Sequence, residues 1–497
     1  MHRDIQTSIM KNAGVMFASQ LITWTSSFVL LLFLPRYLGS EDYGHLFLAI
    51  SLTMIAGVII DFGGNFLIPK NISRSPDHAA SLLSSYIGIR TLLWLVCIAI
   101  LWAFSVVAHY SPLVQGLIFI LGVAKLWEEI RMAYRSYFQG IERMEFPSIG
   151  VIAEQVFISL FAVIALLLGF NSFTVAIIMA IGALLDLIVC MNFSHRFLPK
   201  LSRFNLLQSV RLLKTGLPYF LWSIFAIIYY RLDAVMLSLM TVDNVVGWYG
   251  GAYRFFDMFM FLPSILTTVI FPIFTRLSIS EKEQLVMVLQ KGFKYLLLSG
   301  VLVGIMVYCF ATPIVVLFLG LKGYTPSINI LHVFAFGVPL VYVDFIFGNA
   351  IIAADKQRQW AIIGFLAIFL NIFLNYFLIH YTQSAFANGG IGAAIATLVT
   401  EMFIMGSAII LIPGYYLSGI RLNMITRILL VGSATFGVIW LMQSVQWFWI
   451  LSALFGAAFY GIGAILLNII TQSELQSLLS FLKTDNLKSI VSPKRIN

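Results

Sequence analysis

The chain has 497 residues, 60% of them hydrophobic and 10% charged, with a mean hydropathy of +0.96. That composition is too apolar for a soluble protein and too poor in charge for a disordered one, so the chain belongs in a bilayer. The net charge of +9 does not point to nucleic acid, because the bases sit in short loops, where an anionic cytoplasmic leaflet is the expected neighbour.

At about 20 apolar residues per crossing, the chain holds about fourteen spans, near 12–36, 43–67, 82–108, 112–138, 146–169, 172–195, 215–240, 245–274, 292–319, 325–354, 359–380, 388–413, 424–443 and 446–470. Gly and aromatic residues recur within the runs and no period-two alternation persists, which predicts helices rather than a transmembrane barrel. The fold expected is therefore an all-α polytopic membrane protein. The first run, 13–34, exceeds a signal-peptide core of about 7–15 residues and lacks a cleavage site, so it reads as a retained helix.

Charge sets the orientation. Of the 30 Lys and Arg residues, twenty-four fall in alternate gaps, while the intervening gaps hold only Arg36 and Lys322. The basic gaps face the cytoplasm by the positive-inside rule: the N-terminus with Arg3 and Lys11, then Lys70 with Arg74, Arg135 with Arg143, and Arg196 to Lys214. Arg276 to Lys294, Lys356 with Arg358, Arg421 with Arg427, and the tail with Lys483, Lys488, Lys494 and Arg495 follow suit, so both termini are expected inside.

The most basic inner gap, 197–214, separates an N-terminal lobe, 1–196, from a C-terminal lobe, 215–413; two additional helices over 424–470 and a cytoplasmic tail over 471–497 follow. A faint internal repeat joins the acidic, Gly-ended outer turns Ser40-Glu41-Asp42-Tyr43-Gly44 and Val242-Asp243-Asn244-Val245-Val246-Gly247, as is common in transporters. In the tail, Thr471 and Glu474 are spaced as a capping box ahead of Leu475, Leu478, Leu479 and Leu482, which predicts a short helix lying on the inner membrane surface.

No phosphate loop, zinc-protease or nucleophile-elbow motif occurs. The outer loops, the longest around Tyr381 to Asn388, leave no room for a catalytic domain, so a non-enzyme is expected. Cys97, Cys190 and Cys309 each stand alone in apolar runs without metal or disulfide spacing; neither a metal nor a cofactor is expected.

Function should lie with charges inside the spans, where a lone ion is costly. Arg231 lies about ten residues before the outer end of span seven and Arg254 about nine after the outer start of span eight, so both sit roughly 14–15 Å deep at 1.5 Å per residue. Two planar guanidinium forks at one level suit a phosphate or carboxylate. The alternative is internal neutralisation: Asp257 shares a helix face with Arg254, whereas Asp233 needs a partner from another helix. Lys125 can bind the ligand or pair with Glu128 and Glu129, and Arg90 can bind or snorkel to the inner interface. Asp61, Glu154, Asp186, Asp344 and Glu401 are isolated acids that, with Asp233 and Asp257, are candidates for ion coupling or gating. Pro218, Pro263, Pro272, Pro313 and Pro339 are expected to bend their helices.

Four stretches carry a family resemblance: Pro35-Arg36-Tyr37-Leu38-Gly39-Ser40-Glu41-Asp42-Tyr43-Gly44; Asp61-Phe62-Gly63; Val246-Gly247-Trp248-Tyr249-Gly250-Gly251-Ala252-Tyr253-Arg254; and Gly389-Gly390-Ile391-Gly392-Ala393-Ala394-Ile395-Ala396-Thr397. With them the chain resembles the polysaccharide repeat-unit (O-antigen-type) flippases of the multidrug/oligosaccharidyl-lipid/polysaccharide exporter superfamily. The resemblance implies two six-helix lobes plus two helices, and a cationic cavity for an undecaprenyl-diphosphate-linked glycan. It also implies a bacterial inner membrane, alternating access, and a polymerase and chain-length regulator as partners beside the membrane lipids. Arg254 falls on the family motif; Arg231, Lys125 and Arg90 rest on burial and charge alone. The rival functions are an ion-coupled drug exporter of the same fold, which would favour acids in its cavity, and a polysaccharide polymerase or ligase, which would need a large outer loop.

Overall fold

The computed structural model describes residues 2–197, 201–202, 204–280, 282–320, 323–474 and 476, without the side chains of 2–18, 76, 268–269, 271–273, 275–276, 278–280 and 282. Among the described residues the backbone is helical and holds no strand. The elements run α1 (His2–Asp61), α2 (Gly64–Arg74), a 3-10 turn at Pro76–His78, α3 (Ala79–Val107), α4 (Pro112–Gly140), α5 (Glu145–Leu167), α6 (Ser172–Ser194) and α7 (Leu206–Met240). They continue with α8 (Asp243–Phe259), α9 (Phe261–Ser280), α10 (Lys282–Cys309), α11 (Ala311–Phe318), α12 (Ser327–Ala353), α13 (Gln357–Phe386), α14 (Gly389–Leu411), α15 (Gly414–Leu417), α16 (Leu422–Ser444) and α17 (Trp449–Leu466). Eleven helices among the described residues are long and apolar enough to cross a membrane, and the chain is a multi-pass membrane protein. Ile410, Val107 and Leu430 are 87%, 76% and 64% exposed, an apolar exterior that lipid covers and water would not.

The helix breaks follow local chemistry. The turn expected between the first two spans is a kink inside α1 at Gly39, whose φ of 77° suits a residue without a Cβ. α1 gives way to α2 through Phe62 and Gly63, at φ 45° and 77°. Asn171 and Asn205 accept the amides of Thr174 and Gln208 at 3.3 and 3.1 Å, capping α6 and α7. This cap starts α7 at Leu206 rather than near 215, so half of the expected linker is helical. Pro218 and Pro339 lie inside helices. Pro263 and Pro313 instead sit in the first turn of α9 and α11, where a missing N–H is harmless, so the chain breaks just upstream of each.

Two compact units emerge. The first comprises Met1–Phe255, Val315–Ile330 and Ala361–Thr400; the second comprises Phe256–Ile314, Leu331–Trp360 and Glu401–Asn497. The basic gap 197–214 falls within the first unit. One core of that unit gathers Leu67, Ile72, Leu83, Tyr86, Tyr137, Phe138 and Leu187 from α2, α3, α4 and α6. In the second unit Leu298 and Val301 of α10 pack with Ile428, Val431 and Tyr460 of α16 and α17, and the Tyr460 hydroxyl donates to the Leu298 carbonyl at 2.9 Å.

The two acidic, Gly-ended turns of the suggested repeat meet within the first unit. A Cβ on Gly44 would strike the Asp243 carbonyl, and one on Gly247 would strike the Ser40 carbonyl. The glycine of each turn thus lies against the backbone of the other turn. At the far end of the chain Thr471 N–H donates to Glu474 Oε2 at 2.9 Å and Glu474 N–H to Thr471 Oγ1 at 3.4 Å, which is the expected capping box. Leu475, Leu478, Leu479 and Leu482 of the expected surface helix lie outside the described residues, as do Lys322 and the tail bases.

Candidate functional site

The first unit carries two buried polar centres. In the first, α3, α4, α5 and α6 join the end of α1. Asp61 closes α1, and its Oδ1 accepts from the Arg90 guanidinium and from the Asn65 amide at 3.1 Å. Arg90 also donates to the Glu129 carbonyl and, at 3.2 Å, to Asn65 Oδ1. It is 0% exposed. Snorkelling toward the interface is therefore corrected: with a carboxylate in reach on a neighbouring helix, pairing satisfies the charge without extending the side chain.

One turn along α4, Lys125 Nζ donates to Glu128 Oε2 at 2.7 Å and lies 3.9 Å from Glu129 Oε1. Internal pairing, one of its two expected roles, is thus present in the structure. Arg131 and Arg135, counted above with the inner-gap bases, prove central. Arg131 contacts Glu154 of α5 and stands 3.2 Å from Asp186 Oδ2 of α6; Arg135 contacts Asp186 and stands 3.7 Å from Glu154. Their spacing places both on one face of α4, a signal readable in the sequence alongside the isolated acids Glu154 and Asp186.

A cavity of about 590 Å³ opens on this network, lined by Glu128, Arg131, Arg135 and Glu154 with Gln20 and Gln155. Four bases, Arg90, Lys125, Arg131 and Arg135, face five acids, Asp61, Glu128, Glu129, Glu154 and Asp186. The centre is charge-compensated rather than cationic. An anion entering here would have to compete with carboxylates already in place.

The second centre lies among α7, α8, α13 and α14. The Arg231 guanidinium sits 5.6 Å from the Tyr253 ring centroid, a cation–π distance that sets it against the residue preceding Arg254. Arg254 and Asp257 stay one turn apart on α8. Asp233, 2% exposed, finds the partners from other helices that its position required. Its Oδ2 accepts from Tyr249 OH at 2.6 Å and Thr397 Oγ1 at 2.8 Å, and its Oδ1 from Asn375 Nδ2 at 2.7 Å. Asn375 also donates to Asn371 Oδ1 at 2.9 Å, while its own Oδ1 has no hydrogen-bond partner. Sequence reasoning assigns no role to Tyr249, Asn371, Asn375 or Thr397; the clues are that Tyr249 and Thr397 fall in two of the stretches that carry the family resemblance and that the two amides stand four residues apart in an apolar span. In the second unit, Asp344 of α12 lies beside Glu401 of α14.

The profile of a family described as polysaccharide biosynthesis protein matches residues 9–278, more than half of the chain. The chain belongs to that family. Among solved structures it is similar to a lipid II flippase MurJ in an inward closed conformation, with a TM-score of 0.72 and 16% identity over 92% of this chain and 98% of that one. It is also similar to an inward-facing multidrug resistance transporter of the MATE family and MOP superfamily, with a TM-score of 0.66 and 13% identity over 80% and 96%. The MATE multidrug transporter DinF-BH gives 0.56 and 15% over 80% and 94%. No curated protein matches the chain. This member of the family thus has the fold of MOP-superfamily flippases and transporters.

Proposed function

We propose that this protein carries an undecaprenyl-diphosphate-linked oligosaccharide repeat unit from the cytoplasmic to the periplasmic face of a bacterial inner membrane, for O-antigen or another surface polysaccharide. The observation that carries the proposal is the family match over residues 9–278 on a fold shared with a lipid flippase, since a flippase for a lipid-linked glycan satisfies both descriptions. No chemical step is involved. Two lobes, 1–196 and 215–413, alternate access around the site, both termini stay in the cytoplasm, and a polymerase and chain-length regulator take over the exported unit.

Arg231 and Arg254 bind the diphosphate, supported by their matching depth and by the bidentate reach of guanidinium. Arg90 acts through Asp61 and the Glu129 carbonyl, tying α3 to α1 and α4, and Lys125 acts through Glu128 and Glu129 on its own helix. Asp233 is the acid we assign to coupling, to a proton or Na⁺. Its observed donors are neutral hydroxyl and amide groups, so a cation can neutralise it without depriving a guanidinium of its counter-ion. Neutralising Asp61 would instead leave Arg90 buried and uncompensated.

Loss of the gene should abolish a surface glycan and leave its lipid-linked unit facing the cytoplasm. Single units accumulating on the outer face would identify a polymerase instead. For orientation, in a background without the native cysteines, Ser40→Cys should react with an impermeant thiol reagent from outside and Ser202→Cys should not. A second function, ion-coupled drug export, is favoured by one observation, the excess of acids around the α4 network. A gene-deleted strain with normal surface glycan but heightened sensitivity to cationic drugs would select it.

A further inference from the structure

The kink at Gly39 starts a fresh helical run at Ser40, and Glu41 and His45 lie four residues apart in it, on one face. Asp243 opens α8 beside them. His45 is 5% exposed, its Nε2 is 2.9 Å from Asp243 Oδ2, and its Nδ1 is 3.7 Å from Asp42 Oδ1. One ligand atom from each of Glu41, His45 and Asp243 lies within 4.8 Å of the other two.

We propose that Glu41, His45 and Asp243 form a binding site for a divalent transition-metal ion of the Zn²⁺ class, bridging the two outer turns. One imidazole with two carboxylates is a borderline ligand set that suits Zn²⁺ better than Ca²⁺ or Mg²⁺, which take oxygen alone. Bonds of about 2.0–2.1 Å place tetrahedral ligands roughly 3.3 Å apart. The His45–Asp243 pair, at 2.9 Å, is in direct contact and has to open slightly to admit the ion between its two atoms, and the exposed Glu41 side chain has the freedom to close the rest. The Asp42 carboxylate, 3.7 Å from Nδ1, is beyond hydrogen-bond distance but adds negative charge beside the imidazole.

The scaffold is tight. Gly44 and Gly247 let the two backbones touch, Ser40 Oγ donates to Asn244 Oδ1 at 2.7 Å, and Tyr324 OH donates to the Gly39 carbonyl at 3.0 Å. The ligands come from turns about 200 residues apart, so no sequence spacing announces them. The fourth position is left for water or an incoming anionic group, as in open zinc sites.

The test titrates Zn²⁺ alone into metal-stripped full-length protein in nanodiscs, by calorimetry and by thermal unfolding. Wild type should bind one saturable equivalent and unfold at a higher temperature with the ion present. Glu41→Gln, at an exposed position, should fold normally and bind at least tenfold more weakly; Asp243→Asn should do the same, and His45→Asn should lose the equivalent. No saturable equivalent in wild type, or wild-type affinity in Glu41→Gln and Asp243→Asn, would overturn the site and leave His45 and Asp243 as a simple ion pair.

Discussion

The two polar centres of the first unit solve one problem in opposite ways. Around α4 four acids are held directly by a guanidinium or ammonium, Asp61 by Arg90, Glu128 by Lys125, and Glu154 and Asp186 by Arg131 and Arg135, while the fifth, Glu129, lies 3.9–4.0 Å from Lys125 and Arg90. Around α7, Asp233 is held by a phenol, an alcohol and an amide. In the first centre, loss of Arg90, Arg131 or Arg135, or of the carboxylates they hold, strands a partner, so those pairs behave as a fixed brace. In the second, neutralising Asp233 strands no observed cationic partner, which is why the proposed coupling is placed there. Chemistry that must cycle belongs where neutral groups do the holding.

The largest effect expected comes from breaking the brace. Arg131→Ala should cost about 3–5 kcal/mol, the usual penalty for orphaning a buried ion, read as a loss of folded protein in detergent-based thermal unfolding. Arg131→Met combined with Glu154→Gln should recover most of it. A single variant as stable as wild type would remove the distinction between the centres. Next come the two arginines of the second centre: Ala at Arg231 or Arg254 should lower surface glycan per unit of inserted protein at least about tenfold, equivalent to about 1.4 kcal/mol or more of lost interaction. Lys should rescue only in part, because it keeps the charge but loses the fork. Near-normal export by Arg254→Met with Asp257→Asn would show that Arg254 serves only to neutralise its neighbour.

Asp233→Asn sharpens the contrast further. It should cost less than about 2 kcal/mol, since hydrogen bonds to neutral groups are exchanged rather than an ion orphaned, yet export should become insensitive to the imposed pH or Na⁺ gradient. Asp61→Asn should do the reverse, destabilising the fold without a specific coupling defect; equal behaviour of the two would refute the assignment of Asp233. The smallest effect lies in the second unit, where Lys294 Nζ donates to both Glu474 oxygens at 2.6 and 2.8 Å. Burial pushes the Glu474 carboxyl up, but hydrogen bonds from Lys294 and Thr471 outweigh it and hold the group down at about 2. A depressed carboxylate stabilises the fold above its ordinary value near pH 4.5 and loses that contribution as pH falls through about 2. Glu474→Gln should therefore cost about 1 kcal/mol or less at neutral pH and flatten the unfolding curve across that acid window.

The sequence alone determined the membrane class, the approximate spans and the capping box at Thr471, because hydropathy and capping are carried by residues close together in the chain. It also marked Arg231, Arg254 and Asp233 as charges out of place, since a single ion in an apolar run is conspicuous without any partner in view. What surrounds those charges was decided by the tertiary structure. Arg90 could be read as a snorkelling base until Asp61 arrived from another helix, and Arg131 and Arg135 passed for loop bases until Glu154 and Asp186 enclosed them. Asp233's cage draws on α8, α13 and α14, and the Glu41–His45–Asp243 triad spans two turns far apart in sequence. The physical reason is common to all of them: the cost of burying a charge is a local property of the chain, whereas the groups that compensate it are chosen by how helices distant in sequence pack.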